Sequence, residues 1–353
     1  EDKISVVIFG GKLLGLAAAI EIKRRYREMD VTVVEKTTFL TNDNHTLDKS
    51  ATLSSTKTLH SGTYYTHRGH SRGTNPKEAQ LLANLTDETS RVYNTMLWIL
   101  EDYGIGPQEK DKKTMYLMFQ DAFIEPHQFE SITRDRRLWI QRIPEEESQR
   151  LKKVFSNYEG YDGKPLRLEG AFYSKDVLAE LTQLIIKFEQ DAKRIGVNFV
   201  EEAKISEVGN NFVTVSSRGK AIKLAANCII NATNAFTTPV AKLLTAEPPP
   251  EGSYIVQYRH IASVDKRAAP IFDEVAQGKF SFFRTFQGDN KNTFAEVIGN
   301  RDHVSMYAPE LMYVPNDRPD DVFLQDSRKN KSLLKMLERL VVNFRDKSFR
   351  AYI

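Results

Sequence analysis

Three glycines and a glutamate near the N-terminus have the types and the spacing of a dinucleotide-binding turn. Gly10, Gly11 and Gly15 follow a short apolar run, and Glu35 comes about 20 residues after Gly15. Small residues at these places allow a tight bend, a close approach of backbone to a pyrophosphate and the packing of a helix on a strand, while the carboxylate bonds a ribose. At the closest approach to the pyrophosphate the chain carries Lys12. Its side chain must either fill the volume of the phosphate or swing aside and act as a counter-charge.

The segments around this pattern predict a unit of strand, helix and strand. Residues 4–9 are almost wholly apolar and end at a glycine, which is typical of a strand buried on both faces of a parallel sheet. A helix is expected from Leu13 to about Arg27, since its last turn carries several positive charges. Residues 31–35 should form a second strand that ends in the carboxylate. The two strands are then parallel and joined by a right-handed crossover.

Further along the chain, the hydrophobic periodicity predicts more helices and strands. One long helix is expected from Lys77 to Tyr103, and another from Ser174, as its N-cap, to about Arg194. An amphipathic helix is expected near residues 330–344. Apolar or alternating runs predict strands at residues 115–119, 197–200, 212–216, 221–224, 228–232, 254–263, 280–286 and 294–298. The last three of these suggest an antiparallel sheet.

Composition narrows the class of protein. The chain has 353 residues, 41% hydrophobic and 27% charged, which suits a globular protein of two domains or of one large domain with an insertion. Its 50 basic and 47 acidic residues are well mixed, so the net charge of +3 indicates no nucleic-acid partner. No apolar stretch approaches the roughly 20 residues of a transmembrane segment. A soluble protein of the cytosol, or of an organelle matrix such as that of a mitochondrion, fits this composition.

Two smaller sets of residues carry groups that can be reactive or bind metals. The single cysteine, Cys228, excludes an internal disulfide, and its apolar neighbours predict a buried strand thiol. His60, His67 and His70 have acidic residues nearby, but their spacing matches no pattern of metal ligands. No metal site is therefore predicted.

Longer stretches of the chain resemble the FAD-dependent oxidoreductases of the D-amino-acid oxidase-like superfamily. Residues 6–19 and 31–36 look like the opening of these flavoproteins. The segment Leu59-His-Ser-Gly-Thr-Tyr-Tyr65 is similar to one in the L-2-hydroxyglutarate dehydrogenase branch that runs along the flavin. Residues 172–244 look like the return of the chain to the nucleotide domain. The resemblance covers roughly residues 4–265 and weakens beyond them.

The resemblance implies an α/β fold with two domains and FAD as the cofactor. A Rossmann-type FAD-binding domain would take residues 1–75 and 173–247. A substrate domain with a mixed or antiparallel sheet would take residues 76–172 and 248–325, and residues 326–353 would form a C-terminal helix.

The same resemblance implies a set of site residues. His60 would lie beside the flavin as the catalytic base, because a histidine titrates near neutral pH. Tyr64 and Tyr65 would line the substrate pocket, although paired tyrosines often serve packing alone. Arg259 and Arg284 could hold a substrate carboxylate with two hydrogen bonds each, although a surface or salt-bridged arginine is the commoner case. The expected cofactor-binding residues are Gly10, Gly11, Lys12, Leu14, Gly15, Glu35, Lys36, Thr56, Lys57, Gly62, Ile205, Ala232 and Asn234.

Three of these positions depart from the family pattern and leave two functions open. Lys12 and Asn234 stand where the family has glycine, and Lys57 stands where it has a small residue. Together they suggest an eroded flavin site. The chain is then either a working FAD-dependent dehydrogenase or oxidase of a small 2-hydroxy acid, amino acid or amine, or a non-catalytic descendant that binds protein partners as a structural or assembly subunit. NAD(P) in place of FAD would suit Glu35 equally well, but the histidine-containing segment disfavours it.

Overall fold

The structure is a computed structural model, and it describes most of the first two thirds of the chain and several strands beyond. The described residues are 3–41, 58–63, 76–106, 113–120, 122, 124–157, 164–165, 167–233, 237–244, 253–265, 267, 273–275, 280–286, 294–299 and 303–315.

Helices and strands alternate along the first part of the described chain, and strands predominate after it. The strands are β1 (Ser5–Phe9), β2 (Asp30–Val34), β3 (Thr58–Leu59), β4 (Lys113–Phe119), β5 (Ile140–Arg142), β6 (Leu168–Ser174), β7 (Val177–Leu178), β8 (Asn198–Val200), β9 (Ala203–Gly209), β10 (Phe212–Ser217), β11 (Lys220–Ala225), β12 (Cys228–Asn231), β13 (Ser253–Asp265), β14 (Phe280–Phe286), β15 (Phe294–Gly299) and β16 (His303–Pro315). The helices are α1 (Leu13–Arg25), α2 (Pro76–Asp102), α3 (Pro126–Asp135), α4 (Glu145–Phe155), α5 (Leu181–Arg194) and α6 (Thr237–Leu244).

A four-stranded parallel sheet forms the centre of the N-terminal region. Its strand order is β12-β1-β2-β8, and every residue of β1 is buried. Successive side chains of a strand point to opposite faces, and the two faces of β1 pack into two different clusters. Val6 and Ile8 join an apolar cluster with α1 and α5, whereas Val7 and Phe9 join a cluster with Val213 and its neighbours in the sheet β11-β10-β9. The sheet is thus covered on both faces, as its apolar strands predict.

A seven-stranded sheet forms the second large layer. Its order is β13-β16-β15-β14-β4-β6-β5, with only the β14–β4 pair parallel. The middle of β4 is fully buried, including Met115, Tyr116, Leu117 and Met118. The predicted antiparallel sheet is therefore confirmed, with one parallel pair added where the chain returns to β4.

Two expectations, one about β6 and one about β12, were wrong. Ser174 does not begin a helix, because it ends β6 and pairs with Thr114 across the β4–β6 ladder. Helix α5 begins later, at Leu181, with Glu180 at its N-cap. Cys228 is exposed rather than buried, since it is the first residue of β12, which pairs in the described structure with β1 alone.

One of the other expected helices is confirmed, and another lies outside the described residues. Helix α2 at Pro76–Asp102 confirms the predicted helix to within one residue at each end, and the predicted helix near residues 330–344 falls outside the described residues. The proposed domain limits stay predictions.

None of the described helices combines the length and the apolar character that crossing a membrane requires.

Candidate functional site

The first candidate site is the glycine turn, which we define as residues 10–15 together with Glu35. Gly10 has φ +105°, and a Cβ atom there would lie 2.5 Å from the carbonyl oxygen of Ala232. Both the left-handed backbone and the close contact require glycine. The backbone of Gly15 is not left-handed, yet a Cβ atom on it would lie 1.8 Å from the carbonyl oxygen of Gly10. The turn therefore packs backbone on backbone and admits no side chain at these two places.

Glu35 closes this turn from the end of β2. Its side chain is buried, its Oε2 accepts a hydrogen bond from the Gly11 N–H at 2.6 Å, and its Oε1 accepts one from the Thr37 N–H at 3.0 Å. Each carboxylate oxygen can accept more than one hydrogen bond. The carboxylate is thus held in a defined orientation and retains the capacity to accept a further hydroxyl donor.

Lys12 occupies the N-cap of α1. Its backbone is extended, its side chain does not cap the helix, and its Nζ donates to the carbonyl oxygen of Thr38 at 3.3 Å. The side chain therefore reaches toward the segment after β2. The first turn of α1 has no acidic residue, and Leu14 in it is 71% exposed. Since the first N–H groups of a helix have no acceptor within the helix, this end of α1 suits an anion.

The histidine-containing segment is fixed beside this region by a two-stranded sheet. Strand β3 pairs antiparallel with β7, so that Leu59 lies opposite Val177. Leu59 also packs against the apolar cluster that contains Ile8 and Leu16. Gly62 has φ +100°, and a Cβ atom there would lie 3.0 Å from the carbonyl oxygen of Thr86 in α2. His60 is therefore anchored on both sides, and it is half-buried rather than part of a freely solvated loop.

His60 faces a buried carboxylate that the sequence did not single out. Asp176 is 1% exposed. Its Oδ1 accepts hydrogen bonds from the Ser61 N–H at 2.7 Å and from the Ser61 hydroxyl at 2.6 Å, and its Oδ2 accepts one from the Tyr116 hydroxyl at 2.6 Å. His60 Nδ1 lies 3.4 Å from the same Oδ2. We call these four residues, His60, Ser61, Tyr116 and Asp176, the Asp176 cluster.

The backbone around Asp176 is held equally firmly. The Thr114 hydroxyl donates to the Asp176 carbonyl oxygen, and the Asp176 N–H donates to Ser174 Oγ at 3.1 Å. The Tyr93 hydroxyl donates to the Lys175 carbonyl oxygen. Burial, and then the negative charge of Asp176, raise the pKa of Tyr93 to about 12. The negative charge of Asp176 thus reaches a second tyrosine that it does not contact through its carboxylate.

The remaining expected site residues fall into three groups. Lys36 follows Glu35 and is exposed. Ile205 packs on the apolar cluster that contains Val7 and Phe9. The Ala232 N–H donates to the Phe9 carbonyl oxygen at 2.8 Å. The backbones of Arg259 and Arg284 lie in β13 and β14. The residues outside the description are Thr56, Lys57, Tyr64, Tyr65 and Asn234.

The two arginines have defined register positions. Arg259 pairs with Pro309, whereas Arg284 pairs with Glu296 on one side and with Tyr116 on the other. The backbone of Arg284 therefore neighbours a member of the Asp176 cluster, and that of Arg259 does not in the described sheet. Among the described residues, no group of three or more His, Cys, Asp or Glu side chains could hold a metal ion.

Asp176 and Tyr116 are the functional candidates that sequence reasoning missed. Asp176 lies 116 residues after His60 and 60 residues after Tyr116. No local motif links residues at these separations. The signal in the sequence is weak, because it is a single carboxylate between two short apolar runs, in a segment whose pattern predicts the first turn of a helix.

Comparisons with known proteins agree with this architecture. A family model described as "DAO: FAD dependent oxidoreductase" matches residues 5–346. NikD, an unusual amino acid oxidase essential for nikkomycin biosynthesis, is 15% identical, with 96% of this chain and 78% of that chain covered and a TM-score of 0.62. Iminodiacetate oxidase from Chelativorans sp. BNC1 is 14% identical, with 95% and 78% covered and a TM-score of 0.58.

A third solved structure is L-α-glycerophosphate oxidase from Mycoplasma pneumoniae with FAD bound. It is 15% identical, with 90% of this chain and 74% of that chain covered and a TM-score of 0.58. At such identities the likeness shows the fold alone, and it confirms the expected two-domain flavoprotein fold. No curated protein sequence matches the chain.

Proposed function

Because this chain belongs to the FAD dependent oxidoreductase family, we propose that it oxidises a small amino acid, amine or 2-hydroxy acid with His60 as the base. The observation that carries the proposal is the pairing of His60 with the buried Asp176. A histidine in a polar loop is usually no more than a surface residue. Here it is half-buried, anchored through β3 and held against a carboxylate, which is the arrangement of a working base.

The residues of the glycine turn fit the cofactor of the family. The N-terminus of α1 would hold the pyrophosphate, since its N–H groups and helix dipole favour an anion. Glu35 would accept a hydrogen bond from the adenosine ribose while it keeps its bond to Gly11. Lys12 reaches toward the Thr38 carbonyl oxygen, which supports a side chain that has swung aside and adds positive charge near the phosphates.

The reaction requires a proton and a hydride to leave the substrate. His60 takes the proton from the substrate hydroxyl or amine, because a neutral imidazole nitrogen accepts a proton near neutral pH. When bound, FAD supplies the acceptor for the hydride from the neighbouring carbon. The protein then has to hold the substrate so that this C–H bond and the acidic proton meet the two acceptors at the same time.

Arg284 is our candidate for the cation that binds a substrate carboxylate. Its backbone lies in register with Tyr116, so it neighbours the Asp176 cluster, and a guanidinium group can bind a carboxylate through two hydrogen bonds. Arg259, Tyr64 and Tyr65 stay in the proposal on the resemblance alone. Proteins named as oxidases of an amino acid, of iminodiacetate and of glycerophosphate share this fold. Their named substrate classes support a substrate that carries an amine or a hydroxyl on the carbon that is oxidised.

The resemblance to the L-2-hydroxyglutarate dehydrogenase branch favours a 2-hydroxy acid within this class. An anaerobic panel of 2-hydroxy acids, amino acids and secondary amines would rank these substrates by the rate at which each bleaches the flavin band. A 2-hydroxy acid should bleach it fastest. A faster reaction with an amine would move the chain away from that branch.

The competing function is a non-catalytic descendant that serves as an assembly subunit, and Lys12 at the N-cap of α1 is the observation that favours it. The purified protein should absorb between about 370 and 450 nm as oxidised flavin does. A protein that stays colourless after incubation with FAD would support the descendant instead. Lys12→Gly separates the two further, because it should weaken FAD binding if Lys12 is a counter-charge and should restore binding if Lys12 obstructs the phosphate.

His60→Ala tests the base directly. We expect flavin to stay bound and substrate-dependent bleaching to slow by at least about 100-fold, the usual contribution of a general base. His127→Ala is the matched control, since His127 lies on α3 with an exposed side chain and pairs with Glu125 at 3.2 Å. Unchanged bleaching in the His60 variant would remove this histidine from the mechanism.

A further inference from the structure

We propose that Asp176 is a positioning residue for His60: it keeps the proton on Nδ1, so that Nε2 presents its lone pair to the proton that leaves the substrate. The catalytic part of this inference rests on the proposed function. The tautomer itself can be tested without any substrate.

The contact between His60 Nδ1 and the Asp176 carboxylate sets the tautomer. An ionised carboxylate only accepts hydrogen bonds, whereas a neutral imidazole has one nitrogen that donates and one that accepts. His60 Nδ1 faces Asp176 Oδ2 at 3.4 Å, so the nitrogen that carries the proton in this pair must be Nδ1. Nε2 is then the nitrogen that can take a proton.

Asp176 is itself held so that it can select one orientation of the imidazole. Ser61 donates twice to Oδ1, and Tyr116 donates to Oδ2, all at 2.6 to 2.7 Å. The carboxylate is almost without exposure to water. A charge so little exposed to water is screened little by it.

The length of the His60 contact is consistent with this role. At 3.4 Å it is longer than the usual 2.7–3.2 Å of an N–H···O hydrogen bond. When Nε2 takes the proton, the O–H or N–H bond of the substrate breaks and an Nε2–H bond forms; FAD, when bound, would accept the hydrogen of the neighbouring C–H bond together with its electron pair. The imidazole then becomes positive, and charge-assisted bonds are shorter and stronger than neutral ones. Asp176 thus stabilises the charge that develops on His60.

A purely structural role for Asp176 makes a different prediction. In that case the carboxylate only anchors Ser61 and the backbone after β3, and the tautomer of His60 does not depend on Asp176. Asp176→Asn distinguishes the two roles, because the amide has a similar shape but presents an N–H donor as well as an oxygen acceptor. Either nitrogen of His60 could then carry the proton.

The experiment is nitrogen-15 NMR of selectively histidine-labelled, FAD-reconstituted protein, with the His60 signals assigned by their loss in His60→Ala. We expect wild type to show a protonated Nδ1 and an unprotonated Nε2. Asp176→Asn should move both signals toward a mixture of tautomers and should slow anaerobic flavin bleaching at least about tenfold at saturating substrate, with little change in KM. Wild-type signals with the proton on Nε2 would overturn the proposal, and this outcome does not depend on whether Asp176→Asn folds.

Asp191→Asn is the matched control for the loss of a buried aspartate. Asp191 in α5 accepts hydrogen bonds from Arg24 at 2.5 Å and from the Tyr103 hydroxyl at 3.0 Å. Its variant should lose comparable stability and leave the His60 signals and the bleaching rate unchanged. Equal effects of both variants on the bleaching rate, with unchanged His60 signals, would assign Asp176 to structure alone.

The two proposals fail separately. If no substrate bleaches the flavin, the proposed function fails, while the NMR signals still decide whether Asp176 sets the tautomer. If wild type bleaches the flavin and Asp176→Asn is as fast, the positioning role is wrong and the proposed oxidation stands.

Discussion

The glycine turn and the Asp176 cluster are held together in different ways, the first by backbone packed on backbone and the second by hydrogen bonds to one buried carboxylate. In the glycine turn, backbone packs on backbone: the Cβ position of Gly15 faces the Gly10 carbonyl oxygen, and that of Gly10 faces the carbonyl oxygen of Ala232 far along the chain. In the Asp176 cluster, groups from two separate segments, residues 60–61 and Tyr116, converge on a carboxylate of a third, and His60 and Asp176 are 116 residues apart. The first is sensitive to added volume, and the second to a single lost polar atom.

This difference suggests a division of labour. A site made of backbone offers a shape that any dinucleotide with the right phosphates can use. A site made of buried, hydrogen-bonded side chains offers a defined proton position, which is what a specific reaction needs. Variants that damage one site and spare the other should therefore separate cofactor binding from proton transfer.

Gly15→Ala should have the largest effect and should strike the glycine turn alone. Helix propensity by itself predicts that alanine in α1 is better than glycine by about 1 kcal/mol. The added Cβ would lie 1.8 Å from the Gly10 carbonyl oxygen, so we expect a loss of about 3 kcal/mol in the free energy of unfolding and a loss of FAD binding. Urea denaturation and the flavin band measure the two.

Ala18→Gly is the reverse control on the same helix. Ala18 is partly buried, and its variant should cost only about 1 kcal/mol through propensity. A Gly15→Ala protein that is more stable than wild type would show that the turn can accommodate a Cβ atom. The glycine turn would then not be more sensitive to added volume than the Asp176 cluster.

Tyr116→Phe should come second and should strike the Asp176 cluster. It removes a 2.6 Å hydrogen bond to a buried carboxylate, so we expect a loss of about 2 kcal/mol in urea denaturation with FAD binding retained. Tyr103→Phe provides the comparison, because Tyr103 donates to Asp191 at 3.0 Å in a less buried position. The free energy of unfolding of that variant should fall by at most about 1 kcal/mol. Equal losses would show that burial adds nothing to the Asp176 bond.

Tyr93→Phe should have the smallest effect at neutral pH, about 1 kcal/mol for its bond to the Lys175 carbonyl oxygen. The pKa of Tyr93 is raised to about 12 from an ordinary 10.0, so the folded state binds the phenolic proton more tightly than the unfolded state. This contribution to stability is fully present below pH 10 and is lost as the pH rises toward 12. Wild type should therefore lose more stability than Tyr93→Phe between pH 10 and 12.

Tyr26→Phe is the matched control, since Tyr26 is exposed. If the Tyr93 and Tyr26 variants follow the same alkaline curve, the charge of Asp176 does not extend beyond its own hydrogen bonds. The Asp176 cluster would then act only through direct contacts, as the glycine turn does.

Much of the fold could be predicted from local patterns. Residues 4–9 and 31–35 gave strands at Ser5–Phe9 and Asp30–Val34, and the periodicity of residues 77–103 gave the helix at Pro76–Asp102. These predictions succeeded because hydrophobic period and element type are linked within a short stretch of chain. Ser174 ends a strand instead of beginning the expected helix, because a residue that can cap a helix can equally end a strand, and only the pairing with β4 decides which.

The sequence alone determined the glycine turn, its place between a strand and a helix, and the presence of a histidine in a family-like segment. These features depend on neighbours in the chain. Only the tertiary structure decided that Glu35 holds Gly11 and that Lys12 reaches toward Thr38. It likewise decided that His60 faces Asp176. Such contacts depend on which strands lie side by side, and strand order is set by the packing of the whole apolar core rather than by any local pattern.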